Sequence, residues 1–159
     1  MAYFRALARK QGSRRRRGSY RFLEDIATAD VAFEATGKTP EELFVSAAEA
    51  LEESQVKTEN LELRAEKKIK LENETLDKLL FDFLDELIYH KDAEGLAFAD
   101  YTLKIEKIAE KYTLKGTLKG EKLDPERHEL RTDVKAVTKH KFRIQKTPEG
   151  LKATVVLDI

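Results

Sequence analysis

The chain has 159 residues, a length typical of one domain with a buried core. It has no cysteine, which excludes disulfides and thiolate metal sites and fits a reducing, cytoplasmic location. No apolar run approaches the roughly 20 residues that span a bilayer, so we expect no membrane partner. Basic and acidic residues balance at 30 each, but residues 1–19 carry seven of the basic side chains and no acidic one.

Residues 1–19 are interpreted as a basic arm and are predicted to be disordered, because the arginines at 14–17 repel one another and glycines interrupt the pattern. Residues 20–159 are predicted to form the folded domain, which carries the compensating acidic excess.

A strand and a helix are predicted first along the domain. Odd apolar positions over 31–35 indicate a strand. Thr39, Pro40 and Glu42 form a helix start signal, with a capping hydroxyl, proline in the first turn and an acid at the third position. Apolar residues then follow at helical spacing: Leu43, Phe44, Ala47, Ala48 and Leu51.

A second helix is predicted after a strand over 67–71. It begins after Asn73 or Thr75 and ends near Gly95. Its broad apolar face predicts that it is the central helix, with Leu76, Leu79, Leu80, Phe83, Leu84, Leu87 and Ile88 on that face.

The rest of the chain is predicted to be β. Alternation over 101–105 and 112–118 indicates a hairpin, and residues 120–133 form a charged loop. One strand then follows, with these residues on one face: Val134, Ala136, Thr138, His140, Phe142 and Ile144. A last strand covers 151–157. Two helices on an antiparallel-rich β-sheet predict a single-domain α+β fold.

Two aspartates are candidate ligands for a metal ion. The strand pattern continues to the end of the sequence, which places Asp158 beside the α-carboxylate of Ile159. Adjacent anionic groups are costly unless a cation neutralises them, and a hard metal ion with oxygen ligands is one solution. Asp30 is a second candidate ligand, although its position before a strand, taken alone, favours a turn residue bonded to its own backbone.

Further candidates lie in two other segments. Asp124 and His128 belong to the charged loop, whose alternative interpretation is plain solvated surface. Lys135 and His140 belong to the following strand, where a surface lysine and a hydrogen-bonded core histidine are the alternatives. The sequence has no nucleophile elbow, phosphate-binding glycine loop or zinc-protease motif.

Together these segments resemble the archease family over about residues 20–159. The matching elements are Thr-Ala-Asp-Val at 28–31, Gly-Glu at 120–121 with Asp124 and His128, Val-Lys-Ala-Val-Thr at 134–138 followed by His140, and Leu-Asp-Ile at 157–159. The long central helix fits as well.

The resemblance implies an accessory protein rather than an enzyme. Archeases assist the RtcB-type RNA ligase, which joins exon ends after tRNA introns are removed. That ligase uses GTP and a divalent metal to attach GMP to its own histidine, and the helper promotes this guanylylation and multiple turnover. The resemblance also implies a metal site, often occupied by calcium, with Asp30, Asp158 and the main-chain oxygens of Ile159 as ligands. Lys135 is the leading functional candidate that is not a ligand.

Three features depart from the family pattern. Ala27 stands where many relatives have histidine, and Lys139 stands where an aromatic residue is common. The arm at 1–19 is atypical. A dispensable arm is the favoured interpretation, and the alternatives are a contact for tRNA or the ligase, a misplaced start and a targeting segment. A general chaperone or protein-binding module is the alternative function. A metal-dependent hydrolase ranks last, because the sequence offers no clear nucleophile or base.

Overall fold

The computed structural model describes residues 18–24 and 30–159. The predicted arm, apart from its last two residues, and the segment with Ala27 lie outside the described residues. The elements in chain order are β1 (Ser19–Leu23), β2 (Asp30–Gly37), α1 (Pro40–Gln55), a 3₁₀ turn (Thr58–Asn60), β3 (Ala65–Asn73), α2 (Leu76–Glu94), β4 (Leu96–Ile108), β5 (Lys111–Lys122), β6 (Ala136–Val137), β7 (Arg143–Thr147) and β8 (Gly150–Asp158).

The strands of the described chain form two antiparallel sheets. The first has the order β1-β2-β8-β6, with β7 also paired to β8. The second has the order β3-β5-β4. The predicted α+β class is confirmed, but the strands are divided between two sheets.

Both predicted helices are confirmed, and their ends follow the expected chemistry. The Thr39 hydroxyl accepts the Glu42 N–H at 3.2 Å, and the Thr75 hydroxyl accepts the Lys78 N–H at 3.3 Å. These bonds satisfy donors that the first turn leaves free. Helix α2 ends at Gly95, whose φ of 69° is the left-handed conformation that glycine adopts without strain.

One apolar core joins both helices to both sheets. Phe33 of β2, Phe44 of α1, Phe83 of α2 and Phe98 of β4 are each fully buried. Burial of each such ring stabilises the fold by about 1.5–3 kcal/mol. Neither described helix combines the length and the apolar character that crossing a membrane requires.

The single strand predicted over 134–144 is wrong, because the chain bulges out in the middle. Val137 pairs with Leu157, and the next pair joins Arg143 to Thr154. Five residues lie between Val137 and Arg143, but only two lie between their partners Leu157 and Thr154. Three residues of the first segment are therefore extra and leave the ladder. His140 lies in this bulge and is exposed, whereas the prediction placed it on the apolar face.

The predicted β boundaries shift at two further places. Strand β4 begins at Leu96, before the alternating segment, because Leu96, Ala97 and Phe98 are all buried and a register shift after Phe98 breaks the period of two. Strand β5 continues to Lys122, so the charged loop predicted over 120–133 begins later.

Candidate functional site

The candidate metal ligands Asp30 and Asp158 lie opposite each other across the first sheet. Asp30 begins β2, Asp158 ends β8, and the two are direct partners in the antiparallel ladder. Direct partners project to the same face with Cβ atoms about 4.5–5.5 Å apart. The neighbouring pair, Val31 and Leu157, is buried in the core, so both aspartates project from the opposite face. We call Asp30 and Asp158 the carboxylate pair.

The carboxylate pair is an electrostatic cost to the fold. Within residues 18–24 and 30–159, neither side chain forms an ion pair or a side-chain hydrogen bond. Ala32 and Val156, the next partners on the same face, are each only 1% exposed, so a water-poor surface borders the pair. Like charges directly opposite each other destabilise a sheet, although water screens this pair because Asp158 is exposed and Asp30 is half-buried. A bound cation would convert this repulsion into attraction.

The main chain around Asp158 is fixed from both sides. Strand β2 pairs with it on one edge, and Ala136 of β6 is its partner on the other. The Lys135 N–H donates to the Asp158 carbonyl oxygen at 2.8 Å, and the Ile159 side chain packs against the core. The fold therefore brings Asp30, Asp158, Ile159 and Lys135 to one place. The Lys135 side chain is exposed and has no ion-pair partner within the described residues.

The donor set at this place is small and consists of oxygen atoms. No group of three or more His, Cys, Asp or Glu side chains in the described part of the chain is arranged to hold a metal ion. The carboxylate pair offers two carboxylates, with the main-chain oxygens of Ile159 next to them. Oxygen-only donors suit a hard cation such as Ca²⁺, whose shell of six to eight ligands is completed by water.

His128 lies in a different, closed cluster. Its side chain is fully buried, Nδ1 accepts the Asp124 N–H at 2.8 Å, and Nε2 lies 2.9 Å from the Glu121 carboxylate. Because Nδ1 is the acceptor, Nε2 carries the hydrogen that Glu121 accepts. Both ring nitrogens are therefore engaged in closing the loop after β5, with none directed to solvent.

Glu121 is the anionic centre of this cluster. Burial acts to raise its pKa, but hydrogen bonds from the Glu62 N–H, His128 and Arg127, together with the Arg127 charge, lower the pKa to about 2. Asp124 stabilises the same loop, since its side chain accepts the Glu126 N–H at 2.9 Å. Asp124 therefore bonds within its own loop, and His128 joins that loop to Glu121 at the end of β5.

His140 and Lys139 lie in the bulge between β6 and β7. His140 is exposed, so the alternative of a hydrogen-bonded core histidine is wrong. The Lys139 ammonium lies 5.8 Å from the ring centroid of Phe81, which in turn meets Phe142 edge-on at 5.3 Å. Lysine at this family position thus covers an aromatic pair.

Comparisons with known proteins identify the family. The model of the Archease protein family (MTH1598/TM1083) matches residues 20–159. The chain belongs to the archease family. A protein archease from Pyrococcus furiosus is 44% identical over 123 residues, which cover 77% of this chain and 87% of that protein. Another from Methanosarcina mazei is 38% identical over 143 residues, covering 88% and 95%.

Two solved structures share the archease fold. The solution structure of Methanobacterium thermoautotrophicum protein 1598 has a TM-score of 0.79 and 36% identity, covering 89% of this chain and 99% of that one. The crystal structure of a Thermotoga maritima protein described as "an archease, possible chaperone" has a TM-score of 0.57 and 26% identity, covering 86% and 97%.

In this archease a buried polar cluster that the sequence analysis missed supports the strand beside Asp158. The Glu52 carboxylate accepts the Phe98 N–H and the Gln55 amide, each at 2.8 Å, and the Gln55 carbonyl oxygen accepts the Val134 N–H at 3.4 Å. Burial raises the pKa of Glu52 to about 8, against the opposing effects of these hydrogen bonds and of Lys91.

The position of Val134 explains what the Glu52 cluster supports. Val134 directly precedes Lys135, whose N–H bonds Asp158. The Lys91 ammonium also donates to the Val134 carbonyl oxygen, at 2.8 Å. One signal was available in the sequence: Glu52 follows Ala48 by four residues and therefore continues the apolar stripe of α1.

Proposed function

We propose that this archease is a non-catalytic activator of an RtcB-type RNA ligase. It promotes the metal-dependent guanylylation of the ligase and its multiple turnover in tRNA exon ligation. Membership of the archease family supports the proposal. The main structural support for the proposal is the strand register, which places Asp30 directly opposite Asp158, next to the main chain of Lys135. A pair of opposed carboxylates that a cation would stabilise suits a partner whose phosphoryl transfer depends on metal ions and on the position of charges.

Each residue at this place has a role in the proposal. Asp30, Asp158 and the main-chain oxygens of Ile159 would hold a divalent ion, with calcium as the first candidate. The ion, when bound, supplies positive charge that can be shared with a phosphate oxygen. Lys135, exposed and next to Asp158, supplies a second positive charge for the same phosphate. None of these residues serves as nucleophile or general base, so the chemical steps remain with the ligase.

The proposed docking orientation follows from the placement of these groups. The end of the first sheet that carries the carboxylate pair faces the nucleotide and metal entrance of the ligase. Contact with tRNA is then indirect, through the ligase, or is made by the basic arm at 1–19, whose seven positive charges suit phosphate.

Labelling of the ligase with GMP tests the proposal. The ligase is incubated with α-labelled GTP and divalent metal, with and without this protein, and the labelled fraction is measured. We expect Asp30→Asn and Asp158→Asn to reduce labelling to the level of the ligase alone. Glu74→Gln is the matched control, because Glu74 is an exposed carboxylate whose one ion pair within the described residues is a 4.0 Å contact with Lys78.

Two outcomes would contradict this proposal. Either the two aspartate variants stimulate labelling as well as the unmodified protein while circular dichroism shows them folded, or the control loses stimulation equally. A general chaperone is the second candidate, favoured by the description of the Thermotoga maritima relative. It predicts suppressed aggregation of an unrelated heat-denatured enzyme, measured by light scattering, with no dependence on metal or on Asp30.

A further inference from the structure

The outer face of the second sheet carries lysines in direct opposition. Lys115 of β5 is the ladder partner of both Lys70 in β3 and Lys104 in β4, so three lysines form one row across three strands. Lys68 lies two residues from Lys70 on the same face. We call Lys68, Lys70, Lys104 and Lys115 the lysine band. Each of the four is exposed.

The geometry of the ladder gives the charge density of the lysine band. Neighbouring strands are about 4.8 Å apart, and residues i and i+2 along a strand are about 6.7 Å apart. The backbone positions of four positive charges therefore lie within about 12 Å of one another. Two threonines complete the row of Lys68, because Thr117 is its partner and Thr102 is the partner of Thr117.

Ion pairing inside the sheet does not account for the lysine band. At the two ends of this face opposite charges do meet, with Glu66 at 3.9 Å from Lys119 and Glu72 at 3.7 Å from Lys111. Within the band Lys104 has Glu106 at 3.7 Å. The other three members have no ion-pair partner within the described residues.

Protection of the sheet edges does not account for it either. Lysines on edge strands discourage pairing between molecules, and this role fits Lys68, Lys70 and Lys104 on β3 and β4. Lys115 lies on β5, the central strand, where no edge needs protection. Its placement between two other lysines costs stability, because like charges directly opposite each other repel.

From this arrangement we infer that the lysine band binds the phosphate backbone of a nucleic acid. Duplex nucleic acid carries one negative charge per ~1.7 Å of axis, and lysines with hydroxyl side chains are usual phosphate contacts. Stacked bases need aromatic residues, and protein interfaces centre on apolar or aromatic anchors. The face has no aromatic residue, and its one apolar side chain, Ile108, pairs with Lys111 two rows beyond the lysine band. The paired outward residues are Glu66, Lys68, Lys70, Glu72, Asp100, Thr102, Lys104, Glu106, Ile108, Lys111, Thr113, Lys115, Thr117 and Lys119.

The chemistry therefore favours a regular polyanion bound without sequence preference. The lysine band lies on the second sheet, whereas the residues of the proposed function lie on the first, so the two surfaces can be tested independently. The lysine band also belongs to the folded domain and is separate from the arm at 1–19.

Anisotropy of a fluorescein-labelled 20-base-pair RNA duplex tests the inference with the full chain. The test variant combines Lys68→Gln, Lys70→Gln and Lys115→Gln. The control, which removes the same charge elsewhere, combines exposed lysines at three other places: Lys38→Gln, Lys78→Gln and Lys146→Gln.

We expect the test variant to bind at least about tenfold more weakly at 50 mM salt, and the control less than twofold more weakly. The slope of log K against log salt should decrease in magnitude by about 2.7 for the test variant alone, which corresponds to three lost phosphate contacts on a duplex. Equal weakening of both variants, an unchanged slope, or competition by poly-glutamate as effective as that by unlabelled duplex would overturn the inference. Thermal unfolding verifies that both variants fold.

Discussion

Without metal, the Asp30→Asn variant should be more stable than the unmodified chain. With metal, it should be less stable than the unmodified chain. At about 5 Å in water, two carboxylates repel each other by about 0.8 kcal/mol, which agrees with the ~0.2–1 kcal/mol typical of opposed like charges in a sheet. Asparagine keeps the shape of the side chain but removes this repulsion. At about 2–4 °C per kcal/mol, the melting temperature should rise by roughly 1–3 °C in EDTA.

With metal, the unmodified chain should have the higher melting temperature of the two proteins. At a free metal concentration 100 times its Kd, binding adds about 2.7 kcal/mol, so the unmodified chain should gain roughly 5–11 °C. The Asp30→Asn variant should lose most of that gain, because one of the two carboxylates is absent. Differential scanning calorimetry in EDTA and in a series of calcium, magnesium and manganese concentrations measures both effects, with Glu74→Gln as control. An equal metal-induced shift in both proteins, or none in either, would refute the reasoning.

Three further predictions concern the residues that support the fold. The pKa of Glu52 is about 8 in the folded protein against an ordinary 4.5, so the folded state holds the proton more tightly and stability falls as pH rises from about 4.5 to about 8. Glu52→Gln should remove this dependence, up to about 1.4 kcal/mol per pH unit, in urea unfolding at several pH values. His128→Ala should cost about 1–3 kcal/mol in the same assay, because it removes one of the hydrogen bonds to the buried Glu121 carboxylate and leaves the Asp124 N–H without its acceptor; a cost near zero would show that the cluster is not needed. Gly120→Ala should cost about 3 kcal/mol, since its Cβ would lie 1.9 Å from the Ala97 carbonyl oxygen, whereas Gly116→Ala would meet the end of a leucine side chain and cost less.

Local signals in the sequence were sufficient for the helices. Thr39 and Thr75 are caps whose bonds are local, and Gly95 ends α2 through its own backbone conformation. Each of these features depends on residues within one helical turn. A sequence pattern can therefore identify them without knowledge of the rest of the fold.

The interruption of a strand was harder to predict, because alternating apolar residues on both sides of an inserted segment look like one continuous strand. Val134 and Val137 are both buried although they are three residues apart, and the bulge that contains His140 restores pairing only at Arg143. The apolar spacing on either side of the bulge resembled one continuous strand. Register is set by the partner β8, which a single-strand pattern does not contain.

The candidate site depends on contacts that are remote in sequence. Asp30 and Asp158 are opposed only because β2 pairs with β8 in one particular register, and no local pattern encodes that register. The family resemblance, rather than periodicity, suggested that the two belong together. The burial of His128 and Glu52 is likewise decided by distant segments, Glu121 in one case and Phe98 in the other.

The measurement that tests the central proposal most directly is the number of ligations completed per ligase molecule. The ligase, kept well below the concentration of cleaved tRNA halves, is supplied with GTP and divalent metal, and joined tRNA is counted with and without this protein. We predict many turnovers with the unmodified chain and with Glu74→Gln, and about one or fewer with Asp30→Asn or with a chain that lacks Ile159. Equal turnover in every reaction, with all variants folded, would contradict the account and favour a general chaperone.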